Sequence, residues 1–267
     1  GIAIALAWAG TVQAGSPRRA RLVPMWRPQA QFAGYYVADA KGIYLSNGIA
    51  ATILVGGPDR PPLDMLTNGA ADFAVLWLAS ALQEHARGLP LVNVAQLLQH
   101  SGLMLIAKKT AGITRLSDLN GKKIGVWAGT HELQPRALFS THNLTVTFLP
   151  QSYSVNLFLR DAVQATAAMW YNEYHTILSA GYDPEELTTF RFSDHGLDLP
   201  EDGIYTLART LARNPALCRD FVRASLAGWQ YAFAHEDEAL DIVLARMESA
   251  HVPANRAHQR WMLRAIK

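Results

Sequence analysis

The stretch VPMWRPQAQFAGYYVADAKGIY, from Val23 to Tyr44, decides the reading of this chain. A short apolar run, Leu22 to Trp26, predicts a strand. Arg27, Pro28 and Gln29 follow as a polar loop, and small residues and aromatics then recur on one side of a helix. A strand that enters a helix through a short polar loop is the first half of a βαβ unit. In open α/β sheets, ligands collect beyond the carboxyl ends of the strands. That end carries Trp26, then Gln31, Phe32, Tyr35 and Tyr36 on the first helical turns. A core asks for apolar side chains there. It does not ask for a tryptophan, a glutamine and two adjacent tyrosines together.

The same event recurs along the chain. The run ADFAVLW ends in Trp77, and KKIGVW ends in Trp127, followed by Gly129 and Thr130. The run ATAAMWYNEY ends in Trp170 and Tyr171, followed by Asn172, Glu173 and Tyr174. One tryptophan at a strand end is ordinary packing. A set at the ends of parallel strands predicts that the indoles face one cleft. Indole and phenol rings offer flat apolar faces with a polar tip, which suits a flat heteroaromatic ligand or a cation.

The length, 267 residues, fits one large domain or two lobes of ordinary size, and half of the residues are hydrophobic. A net charge of +2 gives no electrostatic case for nucleic acid or for a polybasic membrane contact. The single Cys218 excludes an internal disulfide and any multi-cysteine metal site. His131-Glu132 lacks the second histidine one turn on that a zinc site of that type needs, so no metal site and no cofactor are expected.

Residues 1–19 read as the remnant of a signal peptide. A short apolar run precedes Val12-Gln13-Ala14, a small-x-small pattern, and the run is too short to span a bilayer. From Leu22 onward strand and helix alternate up to about Leu207, and the rest is helical. Two extended crossings, near Met104–Lys108 and Ile204–Leu207, predict two lobes with a hinge of two crossing strands. Residues 20–105 plus 204–267 then form the first lobe and residues 106–203 the second. Clefts between lobes favour small molecules, and hinge closure around ligands is typical of periplasmic binding proteins.

The phrases WRPQAQFAGYYVADAKGIYLSNGI, NGAADFAVL, LSDLNGKKIGVWAGT and MWYNEYHTILSAGY resemble the periplasmic solute-binding proteins related to thiamine-pyrimidine synthase. That group includes binding components of ABC importers for thiamine pyrimidine precursors, riboflavin, aliphatic sulfonates, taurine and nitrate. The resemblance covers about residues 20–267. It implies an α/β, two-lobe periplasmic-binding fold of type II with the ligand between the lobes. It also implies a monomer exported to the periplasm, with an ABC permease of the inner membrane as partner. Members of the group usually carry a further C-terminal stretch, so a chain cut at both ends is expected. The group also contains an enzyme, the eukaryotic pyrimidine synthase, which holds pyridoxal phosphate on a lysine and consumes its own histidine. Matched through Ala86-Arg87-Gly88, those positions fall at Leu76 and Ser80. Without the lysine there is no Schiff base, so no catalytic residue is expected.

Trp26, Tyr35, Tyr36, Trp77 and Trp127 are then candidates to sandwich a ring. Gln31, Asn172 and Glu173, with Tyr174 beside them, would bond its edge, because amides and carboxylates match exocyclic amines and ring nitrogens. Gly129 and Thr130 would offer backbone and hydroxyl donors at a helix start. Asn172 and Glu173 fit a helix cap and first turn equally well. A buried Glu173 needs a donor, which an aminopyrimidine supplies and a sulfonate or nitrate does not. The expected function is capture of a small heteroaromatic solute, foremost a thiamine pyrimidine precursor. Riboflavin, a sulfonate or nitrate, and a sensory domain of a larger receptor are the alternatives.

Overall fold

The computed structural model describes residues 16–267. Strand β1 (Arg18–Val23) leads through α1 (Ala33–Ala40) and α2 (Ile43–Ser46) to β2 (Ile49–Ile53). Helix α3 (Pro62–Thr67) then leads to β3 (Phe73–Trp77), and α4 (Leu78–Ala86) to β4 (Leu91–Gln96). The chain leaves this sheet and forms β5 (Leu103–Lys108), β6 (Lys123–Trp127), α5 (Leu133–Thr141) and β7 (Thr147–Gln151). There follow α6 (Asn156–Leu159), β8 (Ala165–Met169), α7 (Glu173–Ser179) and β9 (Leu187–Arg191). It returns as β10 (Asp202–Leu207) and ends in α8 (Ala208–Arg213), α9 (Pro215–Ala234), α10 (Glu236–Ser249) and α11 (Arg256–Ile266).

The strands form two five-stranded sheets, ordered β2-β1-β3-β10-β4 and β7-β6-β8-β5-β9. In each sheet four strands run in one direction, and the strand arriving from the other lobe, β10 or β5, is antiparallel to both of its neighbours. The central strands β3, β8, β5 and β10 are buried along their whole length. Sheets with helices on both faces require that, which is why these segments read as continuous apolar runs. This is the expected two-lobe α/β architecture.

Three details differ from the expectation. The first strand ends at Val23, not Trp26. Pro24 has no N–H to continue the ladder, so Met25 and Trp26 leave the sheet as a loop at its carboxyl edge. Arg18 and Arg19 lie inside β1 rather than in a leader: Arg18 pairs along the strand with Ile49, and its guanidinium meets Asp220 at 2.7 Å. Residues 1–15 of the leader assignment lie outside the described residues. The division expected at residues 105 and 203 falls inside β5 and β10. The chain passes between the sheets at 97–102 and 192–201, ahead of both strands.

Helix α9 covers the first sheet. Phe221 stacks between Phe73, 4.2 Å away, and Tyr44, 5.0 Å away. Helices α1 and α9 cross at Gly34 and Gly228, where an added Cβ on Gly34 would lie 2.2 Å from Trp229 Cγ. Only glycine permits that approach.

Candidate ligand-binding cleft

The carboxyl ends of the two sheets face each other across the lobes. Trp77 ends β3 in the first lobe and Trp127 ends β6 in the second, with ring centroids 6.4 Å apart. Trp26, carried by the loop after β1, stands 6.1 Å from Trp127, edge to face. The Trp127 indole N–H donates to Ser152 O at 3.1 Å, which fixes its ring plane. Three of the expected tryptophans therefore meet. Trp170 does not: β8 ends at Met169, and the turn that follows sends Trp170 against Trp261 and Tyr171 into the chamber.

The chamber is lined by these three indoles, Met25, Gln29, Gln31, His131, Met169, Tyr171, Asn172 and Glu173. It holds about 30 Å³ of free space, room for two or three waters. It opens beside a mouth of about 620 Å³ lined by Pro58, Pro61, Leu76, Ser80, Gly129 and Thr130 among others. In this arrangement the lobes are close. Tyr153 of the second lobe is 5.0 Å from Trp26, and the Arg27 guanidinium lies 3.3 Å over its ring.

Glu173 is the first residue of α7 and only 7% exposed. Its carboxylate turns back to the end of β8, where Met169 N–H donates to Oε2 at 2.9 Å. The Asn172 amide donates to Oε1 at 2.8 Å. Asn172 occupies the helix cap but makes no capping bond, since its side chain is committed to Glu173. Burial pushes the Glu173 carboxyl up to about 7, with the Met169 N–H opposing the rise. An ionised carboxylate is costly there until further donors arrive.

The first lobe supplies a second polar chain. Gln29 donates to Gln31 at 2.6 Å, and Gln31 donates to Asp202 Oδ2 at 2.9 Å. Because the carboxylate accepts, the Gln31 amide N–H must face it and its carbonyl must face Gln29. Asp202, the first residue of β10, is pushed up to about 7 by burial, with the Gln31 hydrogen bond opposing. The Trp77 indole N–H faces this carboxyl too, but neither Trp77 Nε1 nor Asp202 Oδ1 meets a partner in an ordinary hydrogen bond. His131 sits 4.7 Å from Trp77, and burial lowers its imidazole to about 4, so it is neutral at pH 7. Among the described residues no cluster of three or more metal-ligating side chains occurs.

Of the expected residues, Trp26, Gln31, Trp77, Trp127, Asn172 and Glu173 line the chamber, and Gly129 and Thr130 line the mouth. Tyr35 and Tyr36 do not reach either. They are 1% and 2% exposed on the inner face of α1. There Tyr35 packs against Trp229, and Tyr36 lies beneath Arg246. Tyr174 packs on the second lobe's own core. Gln31 sits in the short 3-10 turn before α1, and α1 itself turns Tyr35 and Tyr36 inward. Met25, Gln29, His131, Met169 and Tyr171 were not anticipated. Gln29 and Met25 flank Trp26 in sequence, and that adjacency was the available signal.

A family profile described as NMT1/THI5 like matches residues 29–239. The riboflavin-binding protein RibY of Chloroflexus aurantiacus is 29% identical over 240 residues, covering 84% of this chain and 65% of that protein. The chain thus spans just under two thirds of that relative's length. The formylaminopyrimidine-binding protein of Halalkalibacterium halodurans is 22% identical over 241 residues, covering 85% of this chain and 70% of that one. Among solved structures, the periplasmic aliphatic sulphonate binding protein SsuA of Escherichia coli superposes with a TM-score of 0.67 at 17% identity, over 92% of this chain and 83% of that one. That likeness shows the fold, the two-lobe periplasmic-binding architecture. The chain belongs to the NMT1/THI5-like family.

Proposed function

We propose that this chain is the solute-binding component of an ABC importer, working as a monomer in the periplasm without a catalytic step of its own. It captures a small planar heteroaromatic solute that carries an exocyclic amine and delivers it to a permease in the inner membrane. The crossings at 97–102 and 192–201 serve as the hinge between residues 16–96 with 202–267 and residues 103–191. One observation carries the reading. The chamber sets three indoles beside a buried carboxylate and two glutamine amides, and among the described residues its lining includes no lysine or arginine.

The chemistry selects against anions. A sulfonate or nitrate entering here meets Glu173 and a neutral His131, with no cation to balance it. A neutral aminopyrimidine supplies N–H donors to Glu173 and an apolar face to the indoles. Trp26 and Trp77 belong to one lobe and Trp127 to the other, so lobe opening separates the edge-to-face stack and admits a ring. A single ring needs the least opening of the lobes, which favours foremost a thiamine pyrimidine precursor. Riboflavin is the second reading, supported by the 29% identity to a riboflavin-binding relative. The matched position of the synthase lysine is Leu76, at the mouth, which has no amine for a Schiff base.

The test is thermal denaturation with formylaminopyrimidine, hydroxymethylpyrimidine, thiamine, riboflavin, taurine, an alkylsulfonate and nitrate. A true ligand at a hundred times its Kd stabilises by about 2.7 kcal/mol. Stabilisation by a pyrimidine or a flavin supports the reading. Stabilisation by sulfonate or nitrate alone refutes it.

A further inference from the structure

We propose that His258 is a positioning residue of the cleft, acting from the first lobe through Asn172 on Glu173 of the second; this rests on the reading of the cleft as a ligand site. Helix α11 is rooted in the first lobe. Gln259 Oε1 accepts from the Ala30 N–H at 2.7 Å, and Arg260 and Arg264 both bind Glu236 of α10. Residues 258 and 261, one turn apart, form the face that meets the second lobe. The Trp261 ring stacks on His175 of α7, with centroids 4.8 Å apart and planes at 14°. It also meets Trp170 edge to face at 5.3 Å.

Within that contact, His258 Nε2 lies 2.9 Å from Asn172 Oδ1. The Asn172 amide N–H is 2.8 Å from Glu173 Oε1. The direction of the chain follows from donor and acceptor types. Above pH 7 the Glu173 carboxylate is ionised and only accepts, so the Asn172 N–H faces Glu173. The Asn172 carbonyl then faces His258, and His258 must carry its proton on Nε2. Both bonds run in one sense, histidine to amide to carboxylate, so each strengthens the other. The Asn172 side chain makes no capping bond to its own helix start, although its backbone carbonyl accepts from Thr176, and its backbone N–H is used within the preceding turn, at Met169 O. Its side chain is held in place from across the lobes.

The consequence is a carboxylate presented correctly only when the lobes meet. With Asn172 held, Glu173 keeps one oxygen on the amide and one on Met169, and its remaining lone pairs face the chamber as acceptors. Without His258, Asn172 turns freely and competes with a ligand N–H for the same carboxylate. Closure and recognition of the ligand's amine edge are thereby coupled through one hydrogen bond.

The experiment uses the full chain, wild type and His258→Leu, His258→Gln and Asn172→Ala variants, with two readouts. The first needs no ligand: the imidazole nitrogen resonances of His258 at pH 8, where Glu173 is ionised. The expected result is a neutral Nε2–H tautomer in wild type and a mixed tautomer in Asn172→Ala. The second is calorimetric affinity for hydroxymethylpyrimidine and for riboflavin. For whichever probe binds, His258→Leu is expected to weaken binding roughly three- to tenfold. His258→Gln, which places an amide N–H near the same point, is expected to restore it to within about twofold of wild type. A merely structural role would not be rescued in this way. An Nδ1–H tautomer, or wild-type affinity in His258→Leu, overturns the proposal. If neither probe binds the wild type, the ligand reading fails separately, and the tautomer with its dependence on Asn172 still decides the contact.

Discussion

Replacing Glu173 with glutamine should flatten part of the pH dependence of stability. The Glu173 carboxyl is raised from 4.5 to about 7, first by burial, with Met169 and Asn172 opposing. That rise is worth about 3 kcal/mol between the protonated and ionised forms. The sign follows from the direction. Between pH 4.5 and 7 the folded protein keeps this proton while the unfolded chain has lost it, so stability falls as pH rises. The contribution is fully present below 4.5 and gone above 7. Glutamine cannot titrate. It replaces one acceptor oxygen with an N–H facing a donor, a cost that does not vary with pH. The gap in stability between wild type and Glu173→Gln should therefore narrow or invert by about 3 kcal/mol from pH 4.5 to pH 8. For a chain of this size that is about 6 to 12 °C in relative melting temperature. Scanning calorimetry of both proteins in ligand-free buffer, at half-unit steps of pH, measures it. Glu201 and Asp202 are also raised, to about 8 and about 7, but they are present in both proteins and cancel in the difference. A gap that stays constant across this range would refute the burial argument for Glu173.

Other consequences can be checked with single substitutions. Gly228→Ala places a Cβ 2.2 Å from Gly34 O at the α1–α9 crossing, and should destabilise by about 1–3 kcal/mol, read as a lower melting temperature with unchanged far-UV circular dichroism. Tyr44→Phe removes a buried 2.8 Å bond to Ser225 Oγ, but Ser225 still donates to Phe221 O, so denaturant unfolding should show a loss of about 1 kcal/mol rather than several. Trp26→Ala removes one face of the stack from a half-buried loop position. It should weaken an aromatic ligand roughly three- to tenfold with little change in stability, measured by titration of the remaining indole fluorescence.

Much of this architecture is written locally. The apolar runs ending in Trp77 and Trp127 are strands because buried parallel strands need apolar residues on both faces. Pro24 and the polar loop after Trp26 stop β1 and bring that indole to the sheet's carboxyl edge. Glu173 and Asn172 follow β8 directly, so their place beside the cleft was legible once the strand was. The misplacements are equally physical. Tyr35 and Tyr36 lie on α1, just after the short 3-10 turn that carries Gln31, and helical period says which residues share a face but not which neighbour that face meets. The neighbour is α9, about 190 residues further on, whose Trp229 packs on Tyr35 across a crossing that two glycines make possible. The segment Met104–Lys108 read as a crossing because its composition is that of any buried strand. Pairing with β8 and β9 makes it the interior of the second sheet.

Composition and spacing therefore determined the elements, their apolar faces and the aromatic strand ends, because propensity and periodicity act over a few residues. Tertiary structure alone decided which sheet each strand joined, which tyrosines were core, and that a histidine at 258 holds an asparagine at 172. Those outcomes depend on contacts between segments that have no sequence relation to one another, and only the packed chain brings their atoms within reach.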